Sequence, residues 1–317
     1  MGISTTLWVA AVKTLPKTVA SAFGFFKMGV PLDNRYTLIM SYCTGKTAVI
    51  TGAGSGIGRA LAIELNRQGC ALFLGDIDDA GLAATVKDLP CPEVPADQHR
   101  IDVADKGAID RWARNISEHR SRKDHAAVDI VINNAGVAYS SRVDACDYAE
   151  LQWLMAINFW GVVHGTLAFL PLLQEAPQGH LINMSSIFGV IGVPTQSAYN
   201  ASKFAVRGYT ESLRQELRGS RVHACCVHPG GVRTKIARNS RGGESGLSAD
   251  DRAAQFESLA RTTPEQAAAR IIRAIERRQP RLLIGQDARV IDLLARLFPV
   301  RYPHMLPGLG RLGRAAE

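Results

Sequence analysis

The sequence predicts an α/β fold: one doubly wound sheet of about seven parallel strands, covered by helices on both faces. Three observations predict it. Short apolar runs of strand length alternate along the chain with stretches of helical pattern. The first run ends in a glycine cluster that opens a helix. The later polar or glycine-marked segments follow the C-terminal ends of the apolar runs, the edge at which such sheets bind ligands. With 317 residues, 46% hydrophobic and 21% charged, the chain can bury a large core, which excludes bulk disorder. Aromatic residues make up only 7%, which argues against a stacking platform for single-stranded nucleic acid.

In chain order, residues 1–44 form an extension unlike the rest. Its apolar stretches, Leu7 to Val12 and Val19 to Phe26, are broken by Lys13, Pro16 and Lys17. None reaches the roughly 18 apolar residues of a membrane span. No Lys or Arg precedes Lys13, against a secretory signal. Met1-Gly2 with Thr6 fits a short myristoylation pattern. The extension reads as a loosely docked segment, with a membrane-surface contact as the alternative; Met40 is a candidate internal start, and residues 1–39 are expected to be dispensable for chemistry.

The first strand is "KTAVIT", Lys46 to Thr51, followed by "GAGSGIG" and a helix with Ala60, Ala62, Ile63 and Leu65 on its apolar side. Glycines at 52, 56 and 58 permit a sharp turn, a close approach of backbone to a pyrophosphate, and close helix–sheet packing. The helix N-terminus offers free N–H groups to phosphate. A second strand, Cys70 to Gly75, ends at Asp76, 18 residues after Gly58, near the spacing of about 20 expected for the acid that binds an adenosine ribose. A carboxylate there accepts from ribose hydroxyls and repels a 2′-phosphate. Neither Ser55 nor Ile77 offers a cation to that phosphate, so NAD is favoured over NADP.

Further strands are expected at Ile101 to Val103, Val128 to Ile132, His180 to Met184, Arg221 to Val227 and Arg281 to Ile284, with a helix at about 105–120. Tyr199 and Lys203 lie at i and i+4 on one helix face. A phenol ordinarily titrates near 10; a neighbouring ammonium favours its ionised form, so Lys203 is suited to activate Tyr199 as a general acid/base and to bind nicotinamide ribose. Ser186, at a strand end, can hydrogen-bond the substrate oxygen. Phe188, Val190 and Ile191 after it are candidates for an apolar pocket wall or ordinary core, and Arg233 to Ala254 for a lid. The His and Cys residues of "VHACCVHPG" alternate faces on a strand and cannot converge on one metal ion. With no C-x-x-C among six cysteines, a reducing cytoplasm is the simplest setting.

These motifs together, T-G-x-x-x-G-x-G at 51–58, Asn133-Asn134-Ala135-Gly136, Ser186, Tyr199-x-x-x-Lys203 and Pro229-Gly230, resemble the short-chain dehydrogenase/reductase superfamily. The resemblance spans residues 45–285 and is narrower to a bacterial short-chain alcohol dehydrogenase subgroup. It implies a single Rossmann-type NAD-binding domain there, flanked by the extension at 1–44 and a C-terminal helix with an irregular tail at 286–317. It implies catalytic roles for Asn158, Ser186, Tyr199 and Lys203, with Asn158 positioning a water beside the lysine. It implies a cofactor site of Gly52, Ser55, Gly56, Ile57, Gly58, Asp76, Asp102, Val103, Asn134, Tyr199, Lys203, Pro229, Gly230, Val232 and Thr234. Asp102 would face adenine and Thr234 the nicotinamide amide.

The expected function is NAD-dependent interconversion of an apolar alcohol and its carbonyl, without metal. The alternatives are a reductase of an acyl thioester or ketoacyl substrate and a non-catalytic NAD-binding protein; intact Ser186, Tyr199 and Lys203 speak against the latter. A homodimer or homotetramer is expected, because "ELQWLMAINFWGVVHGTLAFL" is apolar around most of its circumference and needs cover beyond the sheet. Residues 1–206 carry 17 basic and 18 acidic side chains, whereas residues 207–317 carry 20 and 11. The arginines at 270, 273, 277, 278 and 281 come with no nucleic-acid reading motif, so no nucleic-acid partner is expected. In the tail, Val290, Leu293, Leu294 and Leu297 share one helical face, read as packing on the core or a sister subunit, or else as a basic amphipathic patch that touches lipid.

Overall fold

Alternation along each strand sets the layers. In the computed structural model, Val49 and Ile50 of the first strand point into two different hydrophobic clusters, as do Val131 and Ile132, Leu181 and Ile182, and Ala224 and Cys225 further along. The structure describes residues 42–122, 128–242, 254 and 260–306. Within them lie seven parallel strands: β1 (Thr47–Thr51), β2 (Ala71–Asp76), β3 (Ala96–Arg100), β4 (Ile130–Asn133), β5 (Gly179–Met184), β6 (Val222–Pro229) and β7 (Arg281–Ile284). Their order is β3-β2-β1-β4-β5-β6-β7, a doubly wound sheet that reverses between β1 and β4.

One face is covered by α1 (Gly56–Arg67), α2 (Asp79–Lys87) and α6 (Pro264–Glu276), which bury Leu61, Leu65, Leu82, Ile271 and Ile275. The other is covered by α3 (Lys106–Arg122), α4 (Tyr148–Glu175) and α5 (Ser197–Glu216). Here Ile109, Trp112, Ala113 and Ile116 form the buried i, i+3, i+4, i+7 stripe of α3, and Trp112 meets Phe169 edge to face with centroids 5.4 Å apart. Helix α6 starts at a capping box, with Thr263 and Gln266 exchanging hydrogen bonds and Pro264 in its first turn. Helix α4 is long and apolar enough to cross a membrane, yet in this fold it lies against β4 and β5.

Three expectations need adjusting. The third strand is Ala96–Arg100, ending just before the Ile101 to Val103 expected as its end; its residues are polar because it is the sheet edge, where half-exposed side chains replace the apolar run. Helix α4 contains a π-helical turn, Ala156–Trp160, which an i, i+4 pattern does not reveal. The third concerns the C-terminal helix α7 (Gln286–Leu297). Its apolar face does not pack on the core: Val290, Leu293 and Leu297 are exposed, while Ala288 and Asp292 are buried. Polar contacts fix this roll. Asp292 takes bidentate hydrogen bonds from Arg281 of β7, and Asp287 accepts from the Gly231 N–H at 2.8 Å. The expectations for residues 1–41, 243–253 and 307–317 lie outside the described residues.

Candidate active site

The reversal between β1 and β4 opens a crevice at the C-terminal strand ends. Gly52 leaves β1 with a φ of +69°, and a Cβ on it would meet the Ala135 Cα at 2.8 Å, so glycine alone fits. A Cβ on Gly58 would collide with the Gly52 carbonyl. The Asn134 amide donates to the carbonyls of Thr51 and Gly52, at 3.0 and 3.1 Å, and pins this turn to the end of β4. Ser55 is the N-cap of α1, yet its side chain makes no capping hydrogen bond. Thr234 lies over the glycine turn; a Cβ on Gly56 would meet its methyl at 3.2 Å.

Asp76 sits at the end of β2. Its carboxylate accepts from the Gly54 N–H at 2.8 Å and the Asp78 N–H at 3.0 Å, which holds it against the glycine turn. Asp102 is exposed and accepts from the Ala104 N–H, while Val103 beside it is buried and its carbonyl bonds His164. Ile57 packs at the margin of the core, Val232 is buried and bridges to Thr262, and Pro229 and Gly230 close β6.

The second half of the site hangs on helices α4 and α5, tied to the sheet by a buried polar chain. Asn133 of β4 donates to Asn183 of β5 at 2.9 Å and to Thr166 of α4 at 3.3 Å; Asn183 donates to Thr210 of α5 at 3.0 Å. This chain ties the two helices in register to the sheet, although the Asn133 Oδ1 is buried without a partner. In the π turn, Asn158 is fully buried. It accepts from the Val137 N–H at 2.8 Å and donates to the Val137 carbonyl at 3.0 Å and Ser202 Oγ at 3.2 Å. Its side chain therefore braces the segment after β4.

Lys203 and Tyr199 lie one turn apart on α5. The Lys203 ammonium donates to the Met184 carbonyl at 3.1 Å and sits 5.7 Å from the Tyr199 ring centroid. Burial pushes the lysine down to about 8. It pushes the Tyr199 phenol up to about 12, offset by a hydrogen bond with Ser186. The expected lowering of the tyrosine by Lys203 is thus outweighed in the ligand-free cleft, because desolvation dominates and Nζ does not contact the phenol. Tyr199 as a whole residue is half-buried. The Phe188 ring stands edge-on to Tyr199, centroids 6.0 Å apart, whereas Ile191 is core. Ser186 accepts from the Phe188 N–H at 3.1 Å.

The structure thus places Ser186, Tyr199 and Lys203 together beside Asn158, and the glycine turn, Asp76 and Asn134 together across the crevice. Two neighbours were given no site role from the sequence, although Gly136 stood within the Asn133-Asn134-Ala135-Gly136 motif. Gly136 leaves space beside both Lys203 Nζ (3.4 Å) and Asn158 Oδ1 (3.2 Å); its place after Asn134-Ala135 was the available signal. His228, fully buried, donates from Nδ1 to the Ser186 carbonyl at 3.1 Å, and burial lowers it to about 4. Its Nε2 has no partner. His223, at the other end of β6, meets His180 with the rings tilted and centroids 5.6 Å apart, so the two histidines that flank Cys225 and Cys226 differ in role.

The sequence profile described as short chain dehydrogenase matches residues 46–245. A relative in Mycobacterium tuberculosis, called putative oxidoreductase SadH, is 43% identical over 270 residues, covering 84% of this chain and 96% of the relative. A short-chain dehydrogenase/reductase from Burkholderia phymatum, solved in complex with NAD, superposes with a TM-score of 0.71 at 28% identity, covering 80% of this chain and 94% of that one. An alcohol dehydrogenase from the archaeon Thermococcus sibiricus, complexed with 5-hydroxy-NADP, gives a TM-score of 0.57 at 27% identity, covering 69% and 92%.

Proposed function

The chain belongs to the short-chain dehydrogenase/reductase family of oxidoreductases, and we propose that it interconverts an apolar alcohol and its carbonyl with NAD. The observation that carries this reading is the clustering of Ser186, Tyr199 and Lys203 at the C-terminal end of β5, with Ser186 hydrogen-bonded to Tyr199 and the Lys203 ammonium 5.7 Å from the Tyr199 ring centroid. The crevice suits a dinucleotide: the turn at Gly52 and Gly58 has no room for a Cβ, and the α1 N-terminus has no side-chain cap to compete with phosphate. When bound, NAD supplies the hydride acceptor. The residues that would hold it are Gly52, Ser55, Gly56, Ile57, Gly58, Asp76, Asp102, Val103, Asn134, Lys203, Pro229, Gly230, Val232 and Thr234.

Ser186 would orient the substrate oxygen; Tyr199 would give its phenol proton to that oxygen during reduction and, as the phenolate, take it back during oxidation. Lys203, held charged or neutral by its position near pH 8, would bias that transfer and hold ribose hydroxyls. Asp76, already fixed by two backbone N–H groups, presents negative charge where a 2′-phosphate would lie, which favours NAD over NADP. Trp160 and Leu167 on α4 and Phe204 on α5 are exposed apolar residues on adjacent helices, which supports assembly through these helices as a dimer or tetramer. The protein's setting on this reading is cytoplasmic. The test is a series of alcohols of increasing chain length with NAD and NADP, followed by NADH or NADPH absorbance. NADH formation that improves with chain length supports the reading; no reduction of either cofactor by any alcohol, and no oxidation by any carbonyl, refutes it.

A further inference from the structure

Helix α7 and the turn behind it have two unlike sides. The inner side supports the cleft. Asp287 accepts from the Gly231 N–H at 2.8 Å, and Tyr302 Oη accepts from the Gly192 N–H at 2.9 Å. Gly231 follows the Pro229-Gly230 turn, and Gly192 lies in the loop after Ser186. The outer side is apolar and open. Val290, Leu293 and Leu297, at i, i+3 and i+7, are 56%, 56% and 61% exposed, and Phe298, Val300 and Met305, which follow the helix in sequence, are exposed as well. Isolated exposed apolar residues need no explanation, but a contiguous helical stripe does.

Charge decides what fits it. Arg289 and Arg296 flank one edge of the stripe and Arg301 follows it, all exposed. Asp292 is taken by Arg281 and Arg296, so Arg296 is already paired, and Asp287 accepts from the Gly231 N–H; Arg289 and Arg301 carry the arm's remaining positive charge. A second copy docked on this stripe by a two-fold axis would bring Arg289 and Arg301 toward their own copies. An anionic lipid surface answers both features, taking the aliphatic side chains below the headgroups and pairing the arginines with phosphate.

We propose that the outer face of α7 docks on an anionic bilayer, and that the enzyme draws bilayer-dissolved alcohols or carbonyls into the cleft. The substrate half rests on the oxidoreductase reading above; the docking half does not. Docking places the Ser186 loop and the Gly230–Gly231 turn about one helix diameter, roughly 10 Å, from the lipid. The surface is separate from the Trp160, Leu167 and Phe204 face assigned to subunit contact.

The test is co-sedimentation of the full chain with vesicles of phosphatidylcholine alone and with added phosphatidylglycerol, in the absence of substrate and cofactor. Binding should require phosphatidylglycerol and weaken with salt. The double variant Leu293→Glu/Leu297→Glu should lose at least about tenfold in binding, with unchanged assembly mass, unfolding temperature and turnover of a short water-soluble alcohol. Vesicle-dissolved long-chain alcohol should be turned over faster by the parent than by the variant. Equal binding by parent and variant, or no binding by the parent, overturns the docking surface. A drop in assembly mass overturns it in favour of a subunit contact. Docking without a gain in long-chain turnover, while short alcohols still react, overturns the substrate assignment alone; absence of any turnover with docking intact counts against the oxidoreductase reading instead.

Discussion

At the N-terminal end of β5, His180 meets the Tyr42 hydroxyl at 2.6 Å and the Gln178 amide at 2.8 Å, and its ring lies tilted against His223. Gln178 is held in turn by Arg278. At the C-terminal end of the same strand, the Met184 carbonyl accepts from Lys203, and Ser186 and Tyr199 hydrogen-bond to each other. Both ends bury polar groups, and burial shifts both, His180 down to about 3 and Lys203 down to about 8. They differ in place. The first cluster lies at the N-terminal edge of the sheet, joined by Tyr42, Gln178 and Arg278, whereas the second lies at the C-terminal edge, where doubly wound sheets bind ligands. Buried polarity alone therefore does not mark chemistry; its place at the ligand edge does.

The sharpest break between the two ends is Lys203→Met. Turnover should fall by about a hundredfold to ten-thousandfold, the range of acid–base contributions, with folding retained. Turnover within about threefold of the parent would make Lys203 as structural as His180. A smaller effect concerns what the ends share. His180 and His228 are both held neutral, at about 3 and about 4 against an ordinary 6.5. As pH falls from 6.5 toward about 4, the unfolded chain binds protons that the folded chain refuses, so stability drops, by on the order of 3 kcal/mol per histidine. Thermal unfolding without ligand should show this slope; a flat profile across that window would mean neither imidazole is dry.

Asp76→Ala acts only at the ligand edge. It should cut the preference for NAD over NADP about tenfold to a hundredfold, or about 1.4–2.8 kcal/mol. Unchanged discrimination would leave Asp76 as a brace for Gly54 and Asp78. The smallest effect is Tyr42→Phe at the N-terminal end. It should cost about 0.5–1.5 kcal/mol in denaturant unfolding and leave turnover untouched; a loss of turnover would blur the contrast between the two ends.

Sequence pattern carried far at the cleft because glycine spacing and the i, i+4 pair are local. Gly52, Gly58, Asp76 and the Tyr199–Lys203 turn all fall where spacing alone set them. It carried less where tertiary context decides. Strand β3, "ADQHR", has no apolar run because an edge strand is half-exposed. The roll of α7 follows the Arg281–Asp292 pair rather than its leucines, since a buried bidentate ion pair outweighs the pattern of one exposed face. His228 gave no signal, because its partner is a backbone carbonyl.

The central claim is that the C-terminal end of β5 moves a proton through Tyr199. Tyr199→Phe keeps the ring against Phe188 and removes only the hydroxyl. The account predicts NADH binding within about twofold of the parent, with turnover reduced by at least about a hundredfold. Turnover within about tenfold of the parent, or about 1.4 kcal/mol of barrier, would contradict it.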